Sequence, residues 1–232
     1  QKRFRDLYTY YRPQSHIAER CRAIRTSITF SLDGIQCPVL LVTSPASGDG
    51  KSSFAINLAT SFTQAKRSVL VIGADMRRPR LHSLFPPEQH QETFGLSSVL
   101  SGAASADEAL RHHLTECPER LSLLSCGPIP ENPAELLGSP AFRETLATLR
   151  RRFDVIIIDS PPVLPVVDPV VIAGVAVHSS SRRVAKAAAA AARERVGLGV
   201  GGRAAQREHR PLDDAIELPQ VGGVDRLLGR RE

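Results

Sequence analysis

The sequence predicts an α/β fold: a doubly wound, mostly parallel sheet flanked by helices, whose last third is incomplete as a sheet. Three observations carry this. Short apolar runs at 38–43, 68–72 and 153–158 have the composition of strands buried on both faces, as parallel sheets require. Amphipathic stretches alternate with them, the order that a sheet wrapped by helices produces. A loop holding two glycines follows the first strand and opens onto a helix, at the strand end where such sheets bind ligands.

The elements follow in order. Residues 1–14 are polar, basic and tyrosine-bearing, and read as an arm or linker. From Ser15 to Phe30, Ile17, Cys21, Ile24 and Ile28 recur at helical spacing, with Ser15 placed to cap the N-terminus. Asp33-Gly34 marks a turn before the first strand. After the loop from Ser44 to Gly50 a helix is expected from Lys51 to Ala65, then a second strand from Ser68 to Ile72. An Arg- and Pro-rich loop leads to helical stretches near 96–99 and 106–113, a strand at 121–124 and at least one long helix within 133–152. The run 153–158 is the strongest strand signal. These elements define one domain over 15–178. Beyond it lie Ser179-Ser-Ser181, an alanine run at 187–192 that predicts a helix, a Gly-interrupted stretch at 196–200 and an arginine-rich tail from Arg203. Residues 179–232 are therefore expected as a helix plus a poorly ordered, Arg-rich segment.

A chain of 232 residues and 25.2 kDa is long enough for one large domain with a sizeable core. Its 42% hydrophobic and 23% charged residues argue against wholesale disorder. No run of about 18 apolar residues occurs; the most apolar stretch, 155–177, is broken by Asp159, Asp168 and prolines. No basic start with an apolar h-region appears, and Gln1 in place of Met reads as the start of a fragment or a processed chain. Cys21, Cys37, Cys117 and Cys126 lack C-x-x-C spacing and nearby histidines, so a zinc site or disulfide framework has little support and a reducing cytosol is the natural compartment. The net charge of +6 favours anionic partners, whether nucleotide phosphates, nucleic acid or an acidic membrane surface. With no Trp and 5% aromatics, a stacking platform for single-stranded nucleic acid is disfavoured, and no specific nucleic-acid partner is expected.

The informative constellation is Thr43-Ser-Pro-Ala-Ser-Gly-Asp-Gly-Lys-Ser-Ser53, a strand, loop and helix. Inward-pointing backbone N–H groups can cradle phosphates, and the helix N-terminus adds a favourable potential. Ser47, Gly48, Asp49, Gly50, Lys51, Ser52 and Ser53 are the candidate ATP-phosphate ligands. Gly48 and Gly50 permit close backbone approach, Lys51 would reach the β/γ-phosphates, and the Ser52 hydroxyl would ligate Mg²⁺. The strict pattern G-x-x-x-x-G-K-[ST] is not met, because Pro45 stands at the first glycine. Two carboxylates support the site: Asp75 after the second strand and Asp159 at the end of the strongest one. Each points from a parallel strand's C-terminal end into the ligand crevice, where it can hold the magnesium hydration shell. Either alone could be a turn or cap residue; together the three elements make the fold P-loop NTPase-like, with Lys51, Asp75 and Asp159 as candidate catalytic residues and Ser52, Asp75 and Asp159 as candidate Mg²⁺ ligands.

These motifs resemble those of the cytoplasmic kinase domain of the bacterial tyrosine kinases (BY-kinases) of capsule and exopolysaccharide export, relatives of the deviant P-loop ATPases that include MinD and ParA. The resemblance runs from about Arg12 to Ala173 and rests on four segments. They are the phosphate loop, the motif ending Asp75-Met-Arg-Arg-Pro79, the motif Phe153-Asp-Val-Ile-Ile-Ile-Asp-Ser-Pro-Pro162, and Cys126-Gly-Pro-Ile-Pro-Glu-Asn-Pro-Ala-Glu-Leu-Leu137. Glu19, Arg22 and Arg25 match the spacing E-x-x-R-x-x-R, which in this family packs one subunit against the next in a homo-oligomeric ring; without the resemblance they read as a solvated helix face with an i,i+3 pair. The resemblance implies transfer of the ATP γ-phosphoryl group to tyrosine hydroxyls, chiefly on the kinase itself or a neighbouring subunit. It also implies a cytoplasmic location at the inner face of the bacterial membrane. The implied partner is a membrane polysaccharide copolymerase, the chain-length determinant, acting in trans or lying upstream in the same polypeptide.

Three departures qualify what is implied. The family's D-x-D has lost its first aspartate, the favoured base for the acceptor hydroxyl, to Gly73. A missing general base costs roughly 10²–10⁴-fold in rate while leaving nucleotide binding possible. Relatives continue with another hydrophobic strand and a D-G turn, whereas here Gly174-Val-Ala-Val-His178 runs into serines and arginines, so a strand is expected to be missing at the far edge. Relatives end in a tyrosine cluster, whereas here Tyr8, Tyr10 and Tyr11 lie at the other end and are the candidate acceptors. Arg77, Arg78 and Arg80 read either as a solvated loop or as a phosphate or subunit clamp, His112 and His113 as surface residues, and Pro161-Pro162 as a strand terminator. Beside the autokinase stand two alternatives: an ATP-binding pseudokinase that regulates assembly of the same system, favoured by Gly73, and a ParA/MinD-like ATPase. The last is disfavoured by the missing lysine at the start of the phosphate loop and by the segment 126–137.

Overall fold

The computed structural model describes residues 7–85, 94–112 and 117–178. Their order is α1 (Tyr8–Tyr11), α2 (His16–Ser31), β1 (Val39–Val42), α3 (Lys51–Gln64), β2 (Val69–Gly73), a 3₁₀ turn (Leu81–Leu84), α4 (Leu96–Leu100), α5 (Ala106–Ala109), β3 (Leu121–Leu124), α6 (Pro133–Gly138), α7 (Pro140–Leu149), β4 (Val155–Asp159) and α8 (Asp168–His178). The strands form one parallel sheet in the order β1-β4-β2-β3. Their C-terminal ends therefore gather on one side. There Asp159 stands in register with Val42 on one neighbour and Gly73 on the other.

The continuous apolar runs reflect two cores, one on each face. In β4, Val155 and Ile157 join the core formed with α2 and α3, while Ile156 and Ile158 join the core formed with α4, α6, α7 and α8. Alternate residues point to opposite faces, so a strand covered on both sides is apolar throughout. Each fully buried side chain of this size contributes about 1.5–3 kcal/mol. All four cysteines are buried within this packing, and burial pushes the Cys37 thiol up to about 11 and Cys117 up to about 12.

Ser15 caps α2, its Oγ accepting the Ala18 N–H at 3.2 Å. Other expectations shift for local reasons. The long helix expected within 133–152 is two helices, because Pro140 forces Ser139 into an extended conformation (ψ 157°). The helix expected over 106–113 stops at Ala109, because Leu110 turns extended and Arg111 pairs antiparallel with Leu123 through hydrogen bonds of 2.8 and 2.9 Å. The segment read as an arm docks on the domain: Leu7 and Thr9 are buried, Thr9 N–H donates to Asn57 Oδ1 (2.7 Å), and Gln64 Nε2 donates to Thr9 O (3.1 Å). Residues 174–178 belong to α8. Among the described residues β1 pairs on one side only, with β4. His113, the alanine run and the stretch 196–200 lie outside the described residues. No helix among the described residues is long and apolar enough to cross a membrane.

Candidate functional site

The site grows from what β1, β2 and β4 leave at their ends. After β1 the chain runs through exposed Ser47, Gly48 and Asp49 to half-buried Gly50, Lys51, Ser52 and Ser53. Gly48 (φ 89°) and Gly50 (φ 83°) adopt left-handed conformations that a side chain would strain, and nothing lies within 4 Å of where a Cβ would stand at either. Gly50 is the N-cap of α3, so Lys51 and Ser52 open that helix. The loop is braced from within and from β4. Ser44 Oγ donates to Ala46 O (2.7 Å) and Ala46 N–H to Asp49 Oδ2 (3.0 Å). Thr43 Oγ1 donates to Pro161 O (2.9 Å), Ser160 Oγ to Val42 O (3.0 Å) and Val163 N–H to Ser44 O (2.9 Å). Pro161 O thus holds the start of the glycine loop through Thr43.

Asp159 is 1% exposed and its Oδ1 has no hydrogen-bond partner. Burial, with the Asp75 charge adding to it, pushes its carboxyl up to about 6, against a hydrogen bond from Ser52 and the charges of Lys51 and Arg80. Asp75 is half-buried, and its Oδ1 accepts the Arg78 N–H at 3.0 Å. Asp75 and Asp159 line one small open cleft together with Gly73, Arg80, Leu81, His82 and Cys126. Ser52 and Lys51, at the start of α3, reach Asp159 through that hydrogen bond and charge, so the end of β4, the loop after β2 and the start of α3 bring the four residues together. Among the described residues no cluster of three His, Cys, Asp or Glu could hold a metal alone. Magnesium takes oxygen ligands and is commonly held by one or two carboxylates plus substrate phosphates. An orphaned buried carboxylate oxygen, a second carboxylate and the Ser52 hydroxyl fit it.

Gly73 stands beside Asp159 in the sheet. A Cβ on Gly73 would meet Cys126 N at 3.3 Å and Leu81 Cδ2 at 3.4 Å, so the place of the absent aspartate is narrowed by its neighbours. The basic stretch divides. Arg77 is bound in a fork to Asp168, through Nε to Oδ2 at 2.8 Å and Nη2 to Oδ1 at 3.0 Å, while Arg78 is exposed and Arg80 faces the cleft. Sequence reasoning missed this pair, although Asp168 is a carboxylate within an apolar stretch and so needed a partner. It also missed Arg80, Leu81, His82 and Cys126 as cleft residues, which no linear spacing reveals.

The remaining candidates lie elsewhere. On α2, Glu19 is exposed and accepts the Arg22 guanidinium, whose Nη1 also donates to Pro13 O (2.8 Å). Arg25 turns back onto α3, donating to Ser61 O (2.6 Å). Tyr8, Tyr10 and Tyr11 sit on α1, with Tyr10 and Tyr11 packed edge to face at 5.1 Å and Arg12 stacked 5.9 Å over Tyr8. His112 is exposed and its Nδ1 lies 2.8 Å from Ser122 Oγ.

Comparison with known proteins adds independent findings. A family model described as an AAA domain matches residues 39–175. The chain is 38% identical over 194 residues to the tyrosine-protein kinase YwqD of Bacillus subtilis, covering 82% of this chain and 79% of that one. It is 40% identical over 154 residues to the tyrosine-protein kinase ptk of Acinetobacter johnsonii, covering 66% of this chain but only 20% of that longer protein. The crystal structure of the chimerical protein CapA2B2 superposes with a TM-score of 0.68 at 35% identity, covering 74% of this chain and 73% of that one. The P-loop-like parallel sheet, the three motifs at its strand ends and these likenesses agree, and the chain belongs to the family of bacterial tyrosine-protein kinases.

Proposed function

We propose that this protein is a Mg-ATP-dependent protein tyrosine autokinase of capsule or exopolysaccharide synthesis. The observation that carries the reading is the open glycine loop at the start of α3, facing a buried carboxylate whose Oδ1 has no partner. The backbone of 47–50 and the Lys51 ammonium would bind the phosphates, and Ser52, Asp75 and Asp159 would hold Mg²⁺. Bound magnesium supplies charge neutralisation at the transferring phosphoryl group. The Lys51 ammonium would neutralise part of the same charge, and the braces from Pro161 and Ser160 keep the loop in place without further reorganisation.

The acceptors we favour, Tyr8, Tyr10 and Tyr11, are on α1, which is tied to α3 at Asn57 and Gln64. Those residues lie roughly 9 and 20 Å along the helix axis from Lys51 at about 1.5 Å per residue. Transfer to them is therefore a reaction between subunits. It suits a homo-oligomer assembled through the exposed Glu19–Arg22 face of α2, with Arg25 holding that helix to α3. A membrane polysaccharide copolymerase would dock and activate the protein at the inner face of the membrane.

Gly73 favours a second reading, an ATP-binding pseudokinase that controls assembly, because the cleft holds no carboxylate at 73. Incubating the wild-type chain and Gly73→Asp with Mg-ATP and probing phosphotyrosine separates the two. Phosphotyrosine from the wild type supports the autokinase; phosphotyrosine from Gly73→Asp alone supports the pseudokinase; none from either, with ATP bound, overturns the kinase reading.

A further inference from the structure

Asp75, in the loop after β2, and Asp159, at the end of β4, are the two carboxylates facing the cleft. On the backbone, Ala74 N–H donates to Asp159 O at 2.8 Å. Farther out, the side chains of Arg77 and Asp168 meet, Arg77 two residues beyond Asp75 and Asp168 at the start of α8. Asp168 is completely buried and uses both oxygens on the Arg77 fork, while the Arg77 side chain is 42% exposed. A buried carboxylate is costly to place, and a well-packed apolar pair serves stability as well or better. The pair therefore calls for an explanation in alignment.

The intervening residues supply it. Met76 is completely buried, Arg77 is pinned to α8, and the next residue's amide, Arg78 N–H, is the group that holds Asp75 Oδ1 at 3.0 Å. Fixing Arg77 fixes the peptide that orients Asp75. A two-pronged guanidinium–carboxylate contact sets both distance and plane, which a lysine cannot do. α8 is itself anchored through buried Ile172, Val175 and Ala176 in the same core as Ile156 and Ile158 of β4. The Asp75 loop is thus referenced to the element that carries Asp159.

We propose that the Arg77–Asp168 pair is a positioning device: it holds the Asp75 carboxylate in register with Asp159 so that both can act on one metal–nucleotide complex. This rests on the nucleotide-binding reading above, and neither residue touches the reacting atoms.

The test measures the affinity of the full chain for a fluorescent ADP analogue in magnesium and in EDTA, with thermal unfolding in EDTA alongside. The wild type should bind more tightly in magnesium. Asp168→Asn should lose roughly tenfold or more of the magnesium affinity, the scale of a lost outer-shell partner, while its affinity in EDTA changes little. Arg77→Lys should lie between the two. In an Asp75→Ala background, Asp168→Asn should cause no further loss in magnesium. Equal losses in magnesium and EDTA, no loss in either, or a loss that persists without Asp75 overturns the proposal and leaves a structural brace. Should Asp168→Asn fail to fold, Arg77→Met against Arg77→Lys at the partly exposed end gives the same comparison. A wild type that binds no ADP analogue in either condition overturns the nucleotide reading itself, whereas one that binds it no tighter in magnesium than in EDTA overturns the shared-metal proposal; either failure is visible before any variant is made.

Discussion

The loop after β1 and the loop after β2 lie at the same end of the sheet, on either side of β4, but are built on opposite principles. The first is a backbone device: Ser47, Gly48 and Asp49 are exposed, and its two left-handed glycines face open space. In the second nearly every residue is committed. Gly73 is packed against Cys126 and Leu81, Ala74 is bonded to Asp159, Met76 is completely buried, and Arg77 is paired with Asp168. A device made of amides tolerates side-chain change, whereas one made of side chains depends on each of them. Gly73, where the family resemblance calls for an aspartate, ends β2 at the root of the second loop and lies outside the first.

Gly73→Asp breaks that contrast most sharply. The new Cβ requires a shift of a few tenths of an ångström at Cys126 N, 3.3 Å away, and the carboxylate then enters the cleft beside Asp75 and Asp159. The expected outcome is a rise in phosphotyrosine formation of roughly 10²–10⁴-fold, the usual worth of a general base, with a far smaller change in ATP affinity by calorimetry. An equal rise in affinity and rate would place the deficit in binding.

Asp159→Asn comes next. The folded carboxyl titrates at about 6 against an ordinary 3.8, chiefly through burial. Because the folded pKa is raised, this group's contribution to stability is fully present below about pH 3.8 and is lost as pH rises through 6. At about 1.4 kcal/mol per unit the loss is about 3 kcal/mol. In EDTA, Asp159→Asn should therefore be more stable than the wild type above pH 6 and no better at pH 4, by urea denaturation. In magnesium the same variant should bind ADP more weakly. A wild type whose stability does not fall between pH 4 and 6 relative to the variant would remove the burial argument.

The two loops also differ in how much of them the sequence discloses. The glycine loop is nearly all legible, because the left-handed Gly48 and Gly50 and the placement of Lys51 and Ser52 at the start of α3 follow from backbone conformation and helix position, which local order encodes. β4 and Asp159 are legible for a related reason: a strand covered on both faces must be continuously apolar, so the carboxylate that ends it stands out. The cleft is not. Leu81 and Cys126 narrow the space at Gly73 from segments 8 and 53 residues away in the chain, and the Arg77–Asp168 fork joins residues 91 apart. The break between α6 and α7 was readable in Pro140, but the amphipathic pattern on both sides of it outweighed one residue. The end of α5 was not readable, since the pairing of Arg111 with Leu123 replaces helix with sheet edge.

Lys51→Met tests the cradle from the other side. It removes one charged donor from a loop whose backbone conformation is set by glycines, so the fold should be unaffected. A hydrogen bond to a charged group is worth about 1.5–3 kcal/mol, which converts to roughly 10–150-fold weaker ATP binding at about 1.4 kcal/mol per tenfold. Unchanged thermal unfolding without nucleotide, together with that loss, would show that Lys51 serves the ligand alone. A large loss of stability would show that the loop depends on its side chains as the β2 loop does.

Asp49→Asn gives the smallest effect and the finest resolution. Asp49 is exposed within the phosphate loop, and its Oδ2 accepts the Ala46 N–H at 3.0 Å. Asparagine keeps an acceptor oxygen for that bond while removing a negative charge from a loop that we propose binds phosphate. An exposed charge in high dielectric is worth at most about 1 kcal/mol at contact distance, so ATP affinity should rise, by no more than about fivefold. The gain should shrink as ionic strength rises to 1 M, where the screening length falls to about 3 Å. An affinity that drops on Asp49→Asn would mean that the carboxylate's hold on Ala46 organises the cradle more than its charge opposes the phosphates. In that case the first loop, like the second, would be a side-chain device.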